Sequence, residues 1–157
     1  MRVPFFPQIR DGFCLPACAQ MALAYHGVDV HQEALIALLD ATSEGAPFSR
    51  ITRIEKYGVR VDLQRHASLD LVIAAVNADA PSIVAVNLQF LPYSMEDFDH
   101  AVLVTAATSD EISLLDPATQ AGAHTVSTDA FLAAWTERDC ALAAIRAKRE
   151  SATPRFL

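Results

Sequence analysis

The sequence predicts an α+β fold rather than a doubly wound parallel sheet, mainly because of the order of its hydrophobic patterns. Helical patterns come first, up to residue 57, whereas short apolar runs of strand length, with helices interspersed, make up most of the rest. The period changes after Gly58, where Val59, Val61 and Leu63 alternate with polar residues as in a half-buried strand. A chain of 157 residues with 52% hydrophobic content predicts one domain, residues 1–157, with a core of its own.

The N-terminal segment predicts an irregular arm followed by a buried helix. Residues 1–12 contain two prolines and a glycine, so we expect them to be extended. Residues 14–26 are apolar or small nearly all round, which is typical of a helix inside a domain. Pro16 fits only the first turn of that helix, and Gly27 stands where glycine ends helices.

Two further helical segments precede the first strand. Asp29 is predicted to cap a helix, with Gln32 as its capping-box partner, and this helix should end near Leu39. Residues 41–47 are predicted to form a loop, and residues 48–57 a short helix with apolar side chains at helical spacing.

The second half of the chain predicts strands with two helices between them. The predicted strands are residues 59–64, 83–86, 101–107, 111–115, 124–126 and 140–145. One helix should begin after Ser68 and break before Pro81, and another should span residues 127–135. Residues 89–99 are predicted to form a surface loop, and the polar tail, residues 148–157, is predicted to fray.

Composition and charge exclude several classes of function. A net charge of −7 argues against a general phosphate-binding surface, and therefore against a nucleic-acid partner. No uncharged apolar run reaches the length of about 18 residues that a membrane span needs. Three cysteines without a signal peptide predict free thiols and a cytoplasmic location. Cys18 and Cys140 are predicted to be core residues, and Cys-x-x-x-Cys without a nearby Cys/His pair is a poor zinc signal.

Cys14 is a candidate nucleophile because it begins the buried helix. Free N–H groups and the macrodipole favour an anion at a helix N-terminus. A thiol with an ordinary pKa of about 8.5 can fall to roughly 3.5–7.5 in such an environment. The alternative is that Cys14 is a small buried hydrophobic residue, as most free cysteines are.

His100 and Asp116 are predicted to meet at one edge of the sheet. His100 stands at the start of the strand 101–107, and Asp116 stands at the end of the strand 111–115. A hairpin that turns near residue 109 brings these two positions within a residue or two of register. An imidazole beside a carboxylate is the base and orienting group that activate a nucleophile.

Gln8 completes the predicted site. It lies on the arm, six residues before Cys14, where its carboxamide can donate to a developing oxyanion together with the Cys14 N–H. Each residue has a plainer interpretation when taken alone: His100 as a polar strand end, Asp116-Pro117 as turn chemistry, and Gln8 as an arm residue. The joint pattern along the chain is what points to catalysis.

Several segments resemble C39-type cysteine peptidases, which are papain-like enzymes best known as leader-processing parts of bacteriocin exporters. In the opening of this family, five residues separate a glutamine from the cysteine that begins a helix, and the helix ends at Tyr-x-Gly. The matching segments are residues 3–27 with the opening, 99–104 with the histidine strand, 114–117 with the aspartate motif and 131–135 with a helix near the end.

The resemblance implies a papain-like fold in which an N-terminal helical part packs on a C-terminal antiparallel sheet. It implies that Cys14 is the nucleophile, His100 the general base and acid, Asp116 the orienting residue and Gln8 the oxyanion-hole residue. It further implies a peptide or protein substrate and no metal or cofactor, and it defines no oligomeric state. Leu15 departs from the family, which usually has glycine there, and we expect it to narrow the cleft or change what the cleft accepts.

The predicted activity is hydrolysis of a peptide bond through an acyl-thioester intermediate. The best-known relatives are fused to a transporter, so we expect this chain to resemble the stand-alone members, for which double-glycine cleavage is only one option. One rival is an acyl-transfer enzyme, such as a peptide cyclase, transglutaminase-like enzyme or amidase, on the same residues. Another is a non-catalytic peptide-binding module, although such modules typically lose the cysteine.

Overall fold

The helices and strands follow the predicted order along the chain. The computed structural model describes residues 1–148. Its α-helices are α1 (Cys14–Tyr25), α2 (Gln32–Leu38), α3 (Leu69–Asn77) and α4 (Thr128–Thr136), with 3-10 helices at Phe48–Tyr57 and Leu88–Phe90. Its strands are β1 (Val59–Gln64), β2 (Ser82–Asn87), β3 (Asp99–Ala107), β4 (Glu111–Leu115), β5 (Ala123–Ser127) and β6 (Leu142–Ala147). Apart from Lys148, the predicted frayed tail lies outside the described residues.

The strands form one six-stranded sheet in the order β1-β6-β2-β3-β4-β5, and every neighbouring pair is antiparallel. The last strand of the described chain therefore lies between the first two. Strands β2 and β3 lie inside the sheet and are buried on both faces, which explains their continuous apolar sequences. The prediction of a mixed helical and antiparallel architecture is confirmed.

Helices cover both faces of the sheet and divide the core in two. One cluster packs α1, α2 and the Phe48–Tyr57 helix against one face, with Met21, Leu35 and Leu103 fully buried. The other packs α3 and α4 against the opposite face, with Phe131 and Trp135 fully buried. The N-terminal helical part thus packs on the sheet as predicted, and the two later helices cover the face that it leaves open.

Two predictions in the second half of the chain need correction. Strand β6 begins at Leu142 rather than at residue 140, because Asp139 and Cys140 adopt positive φ angles of 57° and 46° in the turn that leaves α4. Cys140 therefore lies half-buried at the core edge rather than inside the core. The segment 89–99 is not entirely a surface loop, since Leu91 is buried and Asp99 belongs to β3.

The start of α2 corrects the prediction for Gln32. His31 is the N-cap residue of α2, it makes no capping hydrogen bond through its side chain, and Asp29 lies outside the helix. Gln32 is only 4% exposed because its carboxamide binds the N-terminal arm. Its Oε1 accepts from Ile9 N at 2.9 Å, and its Nε2 donates to Pro7 O and to Gln20 Oε1, both at 3.0 Å. These bonds flank Gln8 on both sides.

We predict that Gln32→Leu lowers the free energy of unfolding by about 1–3 kcal/mol, because it leaves the amide of Ile9 and the carbonyl of Pro7 without partners. Urea unfolding measures this loss, and hydrogen exchange should show faster exchange at Ile9. Gln64→Leu, at an exposed position on β1, is the matched control and should change stability little. Equal effects of the two substitutions would contradict the anchoring role of Gln32.

Candidate active site

Cys14 occupies the first position of α1, where the sequence predicts it. Phe13 is the N-cap residue, makes no capping bond through its side chain, and no acidic residue lies in the first turn. No carboxylate in that turn therefore opposes an anion at this helix end. Burial raises the pKa of the Cys14 thiol, but hydrogen bonding and charge from His100, with bonds to the backbone of Ala101 and Leu15, outweigh it and lower the pKa overall.

His100 and Asp116 form a buried hydrogen-bonded pair. His100 Nε2 donates to Asp116 Oδ1 at 2.6 Å, with side-chain exposures of 2% and 1%. Because Nε2 is taken by Asp116, Nδ1 is the ring nitrogen left for Cys14. Burial lowers the pKa of His100, but its hydrogen bonds to Asp116 and Cys14 outweigh this and raise the pKa to about 9. The lowered pKa of Cys14 and the raised pKa of His100 both favour a thiolate–imidazolium pair over the neutral pair.

The antiparallel pairing of β3 and β4 brings these two residues together. Leu103 pairs with Leu115, and a register shift follows between Val104 and Ala106. His100 lies three residues before Leu103, and Asp116 directly follows Leu115, so both fall at the same end of the hairpin. The predicted juxtaposition is present because antiparallel register alone determines it.

Asp116 accepts hydrogen bonds both from the imidazole of His100 and from the turn that follows it. Its Oδ1 also accepts from Ala118 N at 2.9 Å, which is the Asx turn that an Asp-Pro sequence favours. Its Oδ2 accepts from the hydroxyl of Tyr93 at 2.8 Å. Burial raises the pKa of Asp116, but hydrogen bonds from His100, Ala118 and Tyr93 outweigh it and lower the pKa. The carboxylate therefore stays ionised although it is fully buried.

Gln8 lies next to Asp116 through its backbone. Its N–H donates to Pro117 O at 2.9 Å, which fastens the arm to the residue after Asp116. Its side-chain Oε1 is buried without a hydrogen-bond partner among residues 1–148. Within the same residues its side chain makes no hydrogen bond to Cys14, His100 or Asp116. The structure thus joins His100 and Asp116 by a side-chain hydrogen bond, places Cys14 with His100 at the cleft, and brings Gln8 beside Asp116 through its backbone.

Sequence reasoning missed Tyr93 and misread Gln32. Tyr93 stands between a proline and a serine in a segment with no periodic pattern, so nothing local indicates its contact with Asp116. Gln32 matched the spacing of a capping box, although its partners lie on the arm more than 20 residues away. Both residues act through contacts that are distant in sequence.

A cleft of about 760 Å³ extends from Cys14 and His100 between the helical part and the sheet. Its walls are the loop around residues 40–50, the end of β1 and the turn that follows α4. Leu15 borders the cleft, but its side chain is only 2% exposed and packs into the core below. The volume is typical of a site for a peptide segment or small ligand.

Among residues 1–148, no group of three or more His, Cys, Asp or Glu side chains has the geometry to hold a metal ion. No helix among the described residues has both the length and the apolar character to cross a bilayer.

Solved structures share this fold. A C39-like peptidase candidate from Bacillus anthracis is 16% identical, with a TM-score of 0.80 and 96% of each chain covered. The peptidase domain of Streptococcus ComA, a bi-functional ABC transporter of a quorum-sensing pathway, is 20% identical, with a TM-score of 0.71, covering 91% of this chain and 97% of that one. A double glycine motif protease from an AMS/PCAT transporter, in complex with its leader peptide, is 17% identical, with a TM-score of 0.73 and coverages of 94% and 93%.

These similarities confirm the papain-like α+β fold that the resemblance in sequence implied. The comparison with curated proteins finds no match. The profile of the Peptidase C39 family, in contrast, matches residues 2–147, which is nearly the whole chain. By its sequence and its fold, this chain belongs to the Peptidase C39 family.

Proposed function

We propose that the chain is a cysteine peptidase that cleaves a peptide bond through an acyl-thioester intermediate on Cys14. The observation that carries this proposal is the buried pair of His100 Nε2 and Asp116 Oδ1 at 2.6 Å, whose imidazole lowers the pKa of the neighbouring Cys14 thiol. A base oriented by a third group beside a nucleophile is the arrangement that activates the nucleophile.

In the first half of the reaction, the Cys14 thiolate attacks the carbonyl carbon of the scissile bond. The negative charge moves to the carbonyl oxygen, where the Cys14 N–H and the Gln8 carboxamide donate hydrogen bonds. His100 then gives its proton to the leaving amine, the C–N bond breaks, and a thioester remains on Cys14.

In the second half, His100 takes a proton from water, and the hydroxide attacks the thioester. The C–S bond breaks, the acid product leaves, and the proton returns the thiolate–imidazolium pair to its starting state. Asp116 keeps the imidazole oriented and stabilises its positive charge throughout.

A peptide is the substrate class that this site fits best. The cleft beside Cys14 is large enough for several residues of an extended chain. A related double glycine motif protease has been crystallised with a leader peptide, and this supports a peptide ligand here as well. Resolution of the thioester by an amine instead of water would make the same residues a transferase, so product analysis must distinguish the two.

The test is alkylation of the three cysteines by limiting iodoacetamide between pH 4 and 9, resolved by peptide mapping. At pH 6 we expect Cys14 to react roughly tenfold or more faster than the half-buried Cys140, because its thiolate persists below the ordinary pKa. Cys18 is fully buried, and burial raises its pKa, so it should not react.

A peptide library then tests turnover, with Cys14→Ala as the control that removes the nucleophile and leaves the rest of the cleft intact. Cleavage products that contain a new carboxylate and disappear in Cys14→Ala support hydrolysis. If Cys14 reacts no faster than Cys140 at pH 6, the thiolate is not activated, and the proposal of a peptidase is wrong.

A further inference from the structure

The hydroxyl of Tyr93 occupies the one carboxylate oxygen of Asp116 that the imidazole does not use. His100 and Ala118 donate to Oδ1 at 2.6 and 2.9 Å, and Tyr93 donates to Oδ2 at 2.8 Å. We propose that Tyr93 is a positioning residue for the Cys14–His100 pair, because it fixes the orientation of Asp116. This inference rests on the proposed peptidase function.

Among residues 1–148, Tyr93 is the only hydrogen-bond donor to Asp116 Oδ2, and it therefore restricts the rotation of this carboxylate. Rotation about Cβ–Cγ would carry Oδ1 away from His100, and a donor on Oδ2 opposes that rotation. Asp116 is fully buried, so water cannot readily replace a lost donor. A buried ionised carboxylate that loses one hydrogen bond is strongly disfavoured relative to its neutral form.

Other residues hold Tyr93 in turn. Its ring stacks on His124 of β5, with ring centroids 3.8 Å apart and an angle of 13° between the planes. His124 Nε2 lies 2.8 Å from Thr119 Oγ1, and that hydroxyl donates to the backbone carbonyl of Asp116 at 3.2 Å. Tyr93, His124, Thr119 and Asp116 therefore form a closed ring of contacts.

The segment that carries Tyr93 is itself fastened to the sheet. Leu88 N donates to Phe98 O at 3.2 Å, and Asn87 Nδ2 donates to Asp97 Oδ1 at 2.9 Å. These bonds close the base of the loop between β2 and β3. These bonds therefore help to determine the position of the Tyr93 hydroxyl.

Tyr93 remains a donor over the working pH range. Burial raises its pKa well above the ordinary value, and the negative charge and hydrogen bond of Asp116 raise it further. The titratable groups around the contact between Tyr93 and Asp116 are Asp116 itself, His100 of β3, His124 of β5 and Cys18 of α1. Cys14 lies on the far side of His100. The negative charge of Asp116, which Tyr93 holds in position, stabilises the His100 imidazolium and with it the Cys14 thiolate.

The test is the pH profile of Cys14 alkylation in Tyr93→Phe, which removes only the hydroxyl and keeps the aromatic ring. Because Asp116 then holds the imidazolium less well, His100 should lose its proton at a lower pH than about 9, and the Cys14 thiolate should form at a higher pH. We expect the rise of Cys14 alkylation with pH to move upward by about 0.5–1 pH unit, with alkylation at pH 6 slowed roughly three- to tenfold.

Tyr25→Phe is the matched control, since its hydroxyl also donates to an aspartate, Asp79 Oδ1, at 3.2 Å. Tyr25 ends α1, about 17 Å from Cys14 along a helix of 12 residues. Its profile should equal that of the unmodified protein. His124→Ala, which keeps the Tyr93 hydroxyl but removes the stacked ring, should move the rise of alkylation in the same direction as Tyr93→Phe by a smaller amount.

The outcomes separate this inference from the proposed function. If the unmodified protein shows an activated Cys14 thiolate and folded Tyr93→Phe has the same pH profile, the role of Tyr93 is overturned while the peptidase proposal stands. A change in melting temperature without a shift in the pH at which Cys14 alkylation rises is also evidence against it, because a purely structural role gives that result. If the unmodified protein shows no activated thiolate, the peptidase proposal fails first.

Discussion

His100→Ala is expected to slow alkylation of Cys14 at pH 6 by at least about tenfold and peptide cleavage by about 10²–10⁴-fold. The substitution removes the hydrogen bond and positive charge that lower the pKa of Cys14, and it leaves the burial that raises this pKa. The pKa of the thiol should therefore move above its ordinary value, and little thiolate remains at pH 6. Cleavage also loses the proton donor for the leaving amine.

The control for this prediction is His26→Ala. His26 is half-buried, and its Nε2 also donates to an oxygen acceptor, Ile145 O at 2.8 Å, but it lies at the opposite end of α1 from Cys14. We expect it to leave the pH profile of Cys14 unchanged. Equal loss of reactivity in both variants would mean that general loosening of the fold, rather than the imidazole of His100, accounts for the effect.

Trp135→Ala is expected to lower the free energy of unfolding by about 3–5 kcal/mol. Trp135 is fully buried and stacks on Phe131, with ring centroids 5.3 Å apart. Its Nε1 donates to Ala141 O at 2.8 Å, so the substitution leaves both a cavity and an unpaired carbonyl. Urea unfolding followed by far-UV circular dichroism measures the loss, since the chain has no other tryptophan for fluorescence.

Leu132→Ala is the comparison, because Leu132 lies on the same helix and is only half-buried. It should cost clearly less than Trp135→Ala. A similar cost at the two positions would mean that α4 contributes little through its buried face. Because Ala141 lines the cleft beside Cys14, Trp135→Ala should also increase hydrogen exchange in the turn between α4 and β6.

The parts of the fold that the sequence predicts correctly are those with local signals. Pro16 and Gly27 limit α1, and Ser68 caps α3 by accepting from Leu71 N at 3.2 Å. The continuous apolar runs of β2 and β3 require burial on both faces, and the structure has it. Each of these signals depends on residues within one turn or one strand.

The parts that the sequence does not predict depend on distant contacts or unusual backbone angles. The start of β6 moves by two residues because Asp139 and Cys140 adopt left-handed angles that favour glycine, and neither residue is glycine. Gln32 fits a capping pattern, but the arm offers its carboxamide better partners. Only the folded chain decides between such alternatives.

The candidate site also has a part that local signals predict and a part that depends on distant contacts. The proximity of His100 and Asp116 follows from the register of one hairpin, so spacing alone predicts it. The contact of Tyr93 with Asp116 joins residues 23 positions apart, across a loop without a pattern. A site read from sequence therefore contains the reacting groups and omits the residues that hold them in place.

The strand order has a consequence for how the protein forms during synthesis. Strand β6 lies between β1 and β2, so in a growing chain that has not yet released residues 142–147 from the ribosome, β1 is separated from the four-stranded sheet β2-β3-β4-β5. Leu63 of β1 and Ala85 of β2, which line opposite parts of the cleft, are joined only when β6 pairs with both. The part of the cleft that lies between β1 and β2 can therefore form only after residues 142–147 have left the ribosome and β6 has paired with both strands.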